Sequence, residues 1–275
     1  MNWREHVKKK KGLLFLALLA LAFSVLVGIL SFRLGRRGQE AGEEKAAQEE
    51  KETGGSIGFG DGSVVVSPCL PDGTPCDFSA EAAPSSMVLL ADRLVPELGS
   101  RESVAAAAAF YRREGGNVCR GMDSLQAGSV IGADTGFLPA AGLQVERGRG
   151  ITERDVEEKR QVVLLDGRAA QILFPGIDPL GETVEVEGRL YQTIGIVTSQ
   201  ELQTGGGLAV IPESTWGEVY QYEEPKSVVL RLSEAPGEAF TEAEWEALRE
   251  SAGLHAARSL NSMVPGGEGL RYRMQ

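Results

Sequence analysis

The sequence predicts an α+β protein: one N-terminal transmembrane helix followed by a mixed α+β extracytoplasmic domain, built as one large unit or as two subdomains. Three observations predict it. A charge-free apolar run, Gly12–Phe32, stands near the start of the chain. Strand-like and helix-like segments alternate irregularly after it, without a βαβ period. Glycine is abundant, 35 of 275 residues, as expected where many turns join short strands.

The helix comes first. GLLFLALLALAFSVLVGILSF reaches roughly 31 Å at about 1.5 Å per residue, the thickness of a bilayer core. Arg4 and Lys8, Lys9, Lys10 and Lys11 precede it, and Arg33, Arg36 and Arg37 follow, a bias of five against three. By the positive-inside rule, residues 1–11 form a cytoplasmic tail, 12–32 span the cell membrane once, and the rest lies outside. A cleaved signal peptide has the same basic start, but its apolar core is shorter and a small-x-small cleavage site does not follow here. Residues 33–62 read as a stalk, Glu/Ala/Lys-rich and then Gly-rich, with little to bury. The glycines of GSIGFGDG lack the following Lys-Ser/Thr and the preceding strand that a phosphate loop needs.

Residues 63–275 carry the domain. Ser85 and Ser86 can cap a helix through SMVLLADRLVPEL, closed by Gly99, with Val88, Leu89, Leu94 and Val95 at helical spacing. SVAAAAAFYRREGG is ambiguous by local propensity, since five alanines favour helix and a Gly pair ends the run. Val130 and Ile131 suggest a short strand. RQVVLLDG is a buried strand, RAAQILF a compact helix, DPLG a turn, and ETVEVEGRLYQTIGIV a hairpin around Glu187-Gly188. GLAVIP is a strand ending at Pro212, STWGEVY a helical turn or two, and KSVVLRL another strand. Thr241 and Glu244 form a T-x-x-E capping box opening a helix that carries Trp245 and Leu248 on one face.

Charge narrows the partners. Residues 1–37 hold eight Lys/Arg and one Glu, a balance of +7, so the formal −11 of the whole chain leaves −18 on the remainder. Such a domain does not seek nucleic acid. Cys69 and Cys76 bracket LPDGTP, whose Pro-Asp-Gly turn can bring the thiols together for a disulfide in an oxidising exterior; Cys119 is left over. With His6 and His255 as the only histidines, no His-bearing triad or His-rich metal site assembles outside, and no cofactor is expected. Asp134-Thr135-Gly136 matches the aspartic-peptidase nucleus in a single copy, with Phe137 where a small residue is usual; a loop after a strand is the plainer reading. Glu153, Asp155, Glu157 and Glu158 fit no EF-hand spacing and read as a solvated face. Trp216, Tyr220 and Tyr222 read as core, or as an aromatic patch for a partner.

Four features in one order carry a family resemblance. They are Gly148-Arg149-Gly150 with Thr152 and Asp155; the VVLLDGRAAQILF strand and helix; the turn Asp178-Pro179-Leu180-Gly181; and the strand pair ending in Ile194-Gly195-Ile196-Val197. Together they resemble the extracytoplasmic core domain of MacB-like and FtsX-like ABC transporter permeases, over roughly Met87 to Ser259. By the residues themselves, Pro179 and Gly181 set a turn and Asp155 caps or braces the loop after GRGIT, so these positions are architectural. The resemblance implies a strand at Val104–Arg112. It also implies membrane partners, an ABC-type ATPase and multi-span permease subunits, because no further apolar span and no Walker motif follow within this sequence. Three functions stay open: coupling or partner engagement in an export or mechanotransmission complex, a stand-alone tethered binding module, and a peptidase. The oligomeric state is not legible.

Overall fold

Strands that are apolar on both sides must be covered on both sides, and four strands of this chain are of that kind. β1 (Ser63–Cys69), β5 (Ser129–Ala133), β7 (Val162–Asp166) and β10 (Leu208–Pro212) are buried at every residue. The structure, a computed structural model, describes residues 59, 62–74, 76, 88–126, 128–198, 206–220, 224–233, 242–264 and 270–275. All belong to one unit, Gly55–Gln275. The predicted span at 12–32, most of the stalk, and the caps at Ser85, Ser86 and Thr241 lie outside the described residues. Among the described residues no helix is long and apolar enough to cross a membrane.

The remaining strands are β2 (Val104–Glu114), β3 (Val118–Arg120), β4 (Asp123–Ser124), β6 (Gln144–Gly148), β8 (Thr183–Val186), β9 (Arg189–Thr198), β11 (Ser227–Leu232) and β12 (Arg271–Met274). They form one 12-stranded sheet in the order β12-β1-β11-β2-β5-β10-β7-β9-β8-β3-β4, with β6 also on β9. The helices are α1 (Leu90–Gly99), α2 (Phe137–Ala140), α3 (Glu153–Glu157), α4 (Gly167–Leu173), α5 (Trp216–Val219) and α6 (Glu242–Met263), with a 3₁₀ turn at Glu213–Thr215. Mixed α+β is therefore right, and one sheet runs through the whole unit instead of dividing it into two subdomains.

Side-chain alternation sorts the core. Val65, Phe110, Ile131, Leu164 and Val210 point to one face, where α2 covers them. Their neighbours point the other way. Val64, Val66, Ala109, Val228 and Leu230 meet α1 and α6 toward the β12 end, joined there by Trp245 and Leu248. Val163, Leu165, Ala209 and Ile211 meet α4 and Trp216 toward the β8 end. The alanine run forms β2, paired antiparallel with both β11 and β5; small side chains let it lie between two strands where a helix would strand the neighbouring edges. The β8–β9 hairpin turns at Glu187 (φ +47°) and Gly188 (φ +83°), two positive φ values in succession as a type I′ turn requires. Glu187 is held there by reciprocal bonds with Asn117, its N–H donating to the Asn117 carbonyl at 2.9 Å while its carboxylate accepts the Asn117 N–H at 2.8 Å.

One boundary differs from the reading of the sequence. Phe59, placed in the stalk, is buried and makes edge-on contacts with Phe110 (6.0 Å) and Phe137 (5.6 Å), so the core begins before residue 63. A lone aromatic among glycines gives no periodic signal, but its area is worth burying.

Candidate functional site

The motifs that are separate in sequence meet at one corner of the sheet. β9 is long enough to carry two strands on one edge: β8 pairs with its first half, Arg189–Gln192, and β6 with its second, Gly195–Thr198, while β7 runs parallel along the other edge. β6 crosses β9 at two glycines. Gly148, at φ +78°, lies against the Ile194 carbonyl, and Gly195 lies against the Arg149 carbonyl, each too close for a Cβ to fit. The Arg149 N–H then donates to Ile194 O at 2.9 Å. Leu180 closes the space beside Gly148, which brings the Asp178-Pro179-Leu180-Gly181 turn onto the same corner. Gly181 takes φ +86° in a turn closed by Glu182 N–H to Pro179 O at 3.1 Å, and its own N–H donates to Thr193 O of β9 at 2.8 Å. Arg147 reaches across to Asp178 at 2.7 Å, both groups half exposed.

Behind this crossing sits Asp155, 0% exposed. Thr152 is the N-cap of α3, and the two residues cap each other reciprocally: Thr152 N–H and Oγ1–H donate to Asp155 Oδ2 at 2.9 and 2.6 Å, and Asp155 N–H donates to Thr152 Oγ1 at 3.3 Å. Arg149 adds a bidentate pair at 2.6 and 3.1 Å, and Arg160 stands 3.8 Å away on the other side. Burial pushes this carboxyl upward, but the bonds from Arg149 and Thr152 outweigh burial and hold its pKa at about 2. A carboxylate so fully engaged is no general base. Its bonds join α3 to the loop that follows β6, and Arg149 is the cation that makes a buried negative charge tolerable there.

Other residues singled out in the sequence fall elsewhere. Asp134 spends one carboxylate oxygen on the Gly136 N–H at 2.9 Å, shaping the turn from β5 into α2, and Phe137 packs in the core. In the acidic cluster, Glu158 pairs with Arg154 and Arg160. Cys69 and Cys76, the pair expected to form a staple, are free thiols in this structure. Cys76 packs against the cluster that holds Val64 and Val66. The intervening turn is closed instead by Leu70 N–H to Thr74 O at 2.8 Å and Thr74 N–H to Asp72 at 2.9 Å. Burial raises both thiols, Cys76 to about 11. Cys119 is a free thiol on β3.

A second charged cluster was not anticipated. Tyr111 of β2 lies opposite Gly132 of β5, and the missing side chain seats Trp216, which stacks on Tyr111 at 5.1 Å and 9°. Tyr220 follows at 4.3 Å from Trp216. Lys226 caps this aromatic row at one end, 5.0 Å from the Tyr111 ring, and Arg113 caps it at the other, 4.8 Å from the Tyr220 ring. Lys226 donates to Asp92 at 2.8 Å and Glu213 at 2.7 Å, and Arg113 pairs with Glu224. Trp216 and Tyr220 are thus core residues. The legible hint was only a lone lysine at the head of the buried strand KSVVLRL.

The model of the MacB-like periplasmic core domain matches residues 14–248, most of the chain. The chain belongs to that family. Among its relatives, a macrolide export ATP-binding/permease protein MacB of Aggregatibacter actinomycetemcomitans is 35% identical over 82 residues, 30% of this chain and 13% of that protein. An uncharacterised ABC transporter permease, YvrN of Bacillus subtilis strain 168, is 22% identical over 191 residues, 67% of this chain and 46% of that protein. This MacB-like chain therefore spans less than half the length of either relative. Two solved structures share the fold. The extracellular domain of the noncanonic ABC-type transporter YknZ from Gram-positive bacteria has TM-score 0.52 at 17% identity, covering 78% of this chain and 99% of that one. The periplasmic region of MacB from Actinobacillus actinomycetemcomitans has TM-score 0.50 at 20% identity, covering 78% and 88%. The sheet described above is thus the sheet of those extracytoplasmic domains.

Proposed function

We propose that this chain is the extracytoplasmic part of an ABC-type export or mechanotransmission complex, anchored by the helix expected at 12–32 and coupling motion in the membrane to a substrate or partner outside. The family match carries this reading, because it extends from residue 14, inside the expected span, to residue 248 in the domain. The glycine crossing is suited to the task. Where backbones touch with no side chain between them, displacement of one strand is passed to the next without slack. An ATP-hydrolysing subunit and a multi-span permease subunit are the partners this reading requires. Asp155 is saturated by its bonds and Asp134 shapes a turn with one carboxylate oxygen, which supports a structural role for both. Purification of the full chain from native membranes in mild detergent, followed by mass spectrometry, tests the assignment. An ATP-binding protein and a multi-span membrane protein co-elute if it is right, and recovery of the chain alone overturns it.

A further inference from the structure

Segment Glu213–Tyr220 lies on the sheet in an unusual way. Among the described residues, no main-chain hydrogen bond joins it to the strands beneath; it is gripped by side chains instead. Glu213 is held by Lys226, which leads into β11. Glu218 is held by Arg189 at the start of β9, whose Nε also donates to the Glu218 carbonyl at 2.6 Å. Just beyond the segment, Glu224 is held by Arg113 of β2. Three acids are therefore clipped to three bases on three different strands or their flanks. The underside is also imperfectly sealed, since Ser214 Oγ, Trp216 Nε1 and Tyr220 Oη are buried without a hydrogen-bond partner.

We propose that Glu213–Tyr220 is a strap, clipped to the sheet by charge, that opens as one unit and uncovers the Tyr111–Gly132 strip. The ion pairs are coupled through the aromatic row, because Lys226 also lies over the Tyr111 ring beneath the strap and Arg113 over the Tyr220 ring at the strap's end. Opening gives the three unpartnered atoms access to water, which lowers its cost relative to opening an equally buried but satisfied helix. The sheet below stays intact, since β2, β5 and β10 are laddered to each other independently of the strap.

Hydrogen exchange followed by mass spectrometry on the full chain in detergent tests this. Lys226→Met keeps the apolar stem and removes the clip. Amides of 213–220 are expected to exchange about tenfold faster than in the parent, while α4 and β7 keep their protection. Should Lys226→Met fail to fold, Glu218→Gln removes the most exposed clip and gives a smaller rise in the same segment. Exchange that is unchanged at 213–220, or that rises equally in α4 and β7, overturns the proposal.

Discussion

The glycine corner and the strap are both crossings over the sheet, and both are rich in charge, yet they are held differently. At the corner, backbone meets backbone: Gly148 against Ile194, Gly195 against Arg149, with one buried carboxylate behind them satisfied by hydrogen bonds from its own loop. At the strap, side chain meets side chain: a tryptophan on a glycine, cations on rings, acids on bases from distant elements. The first arrangement leaves no room between the strands, and the second is held by contacts that side-chain rotation can release. The two lie on the same sheet, the corner on β9 and the strap over β2 and β5.

Two glycine substitutions break that comparison most directly. Gly195→Ala drives a methyl into the Arg149 and Arg147 carbonyls, neither of which can rotate away. A loss of about 3–5 kcal/mol in urea denaturation is expected, close to the whole stability of a marginal domain. Gly132→Ala also meets a neighbour too closely, but that neighbour is the Trp216 ring on the strap. The strap can lift, so about 1–3 kcal/mol is expected, with faster exchange at 213–220. Equal losses at the two sites would erase the distinction between rigid and yielding crossings.

Asp155→Asn comes next. It keeps the shape but leaves the Arg149 pair without its anion, and about 2–4 kcal/mol of stability at pH 7 is expected to go. The sign with pH follows from the depressed carboxyl. Its folded value is about 2, below the roughly 3.9 of an unfolded aspartate. Its contribution is full above about pH 5, fades as pH falls through 4, and is absent below about 2; the protonation part is about 2 kcal/mol. The gap between parent and Asp155→Asn in denaturation midpoint should therefore narrow over this window. A constant gap would mean that the carboxylate charge is not what braces the loop.

How much of this was legible divides along the same line. At the corner the local parts were legible, since Gly181 needs positive φ after Pro179 and Thr152 three residues before Asp155 is a capping spacing, whereas Gly148 and Gly195 stood out only through the family resemblance. β7, α4 and the β8–β9 hairpin were legible for the same reason, an apolar run followed by a turn. The strap was not. Tyr111, Gly132, Trp216, Lys226 and Glu224 come from four segments, and nothing in any one of them signals the others. β6 was also missed, because an edge strand whose residues are all exposed has no alternation to detect. Phe59 and the closing strand β12 join the core only through partners far away in sequence.

The smallest effect expected at the corner is that of Asp178→Ala, and its smallness is informative. Asp178 accepts from Arg147 and from the Leu180 N–H at 3.2 Å, and these bonds hold its carboxyl below the usual range. Both side chains of the ion pair face water, where attraction is screened and ordering two long side chains costs entropy. The turn does not depend on it, being closed by Glu182 N–H to Pro179 O and tied to β9 through Gly181. The denaturation midpoint should stay near that of the parent, moving less than for Asp155→Asn, and added salt should shrink the difference further. If Asp178→Ala were instead as damaging as Asp155→Asn, the corner would be an electrostatic network like the strap, and rigidity could no longer be credited to its touching backbones.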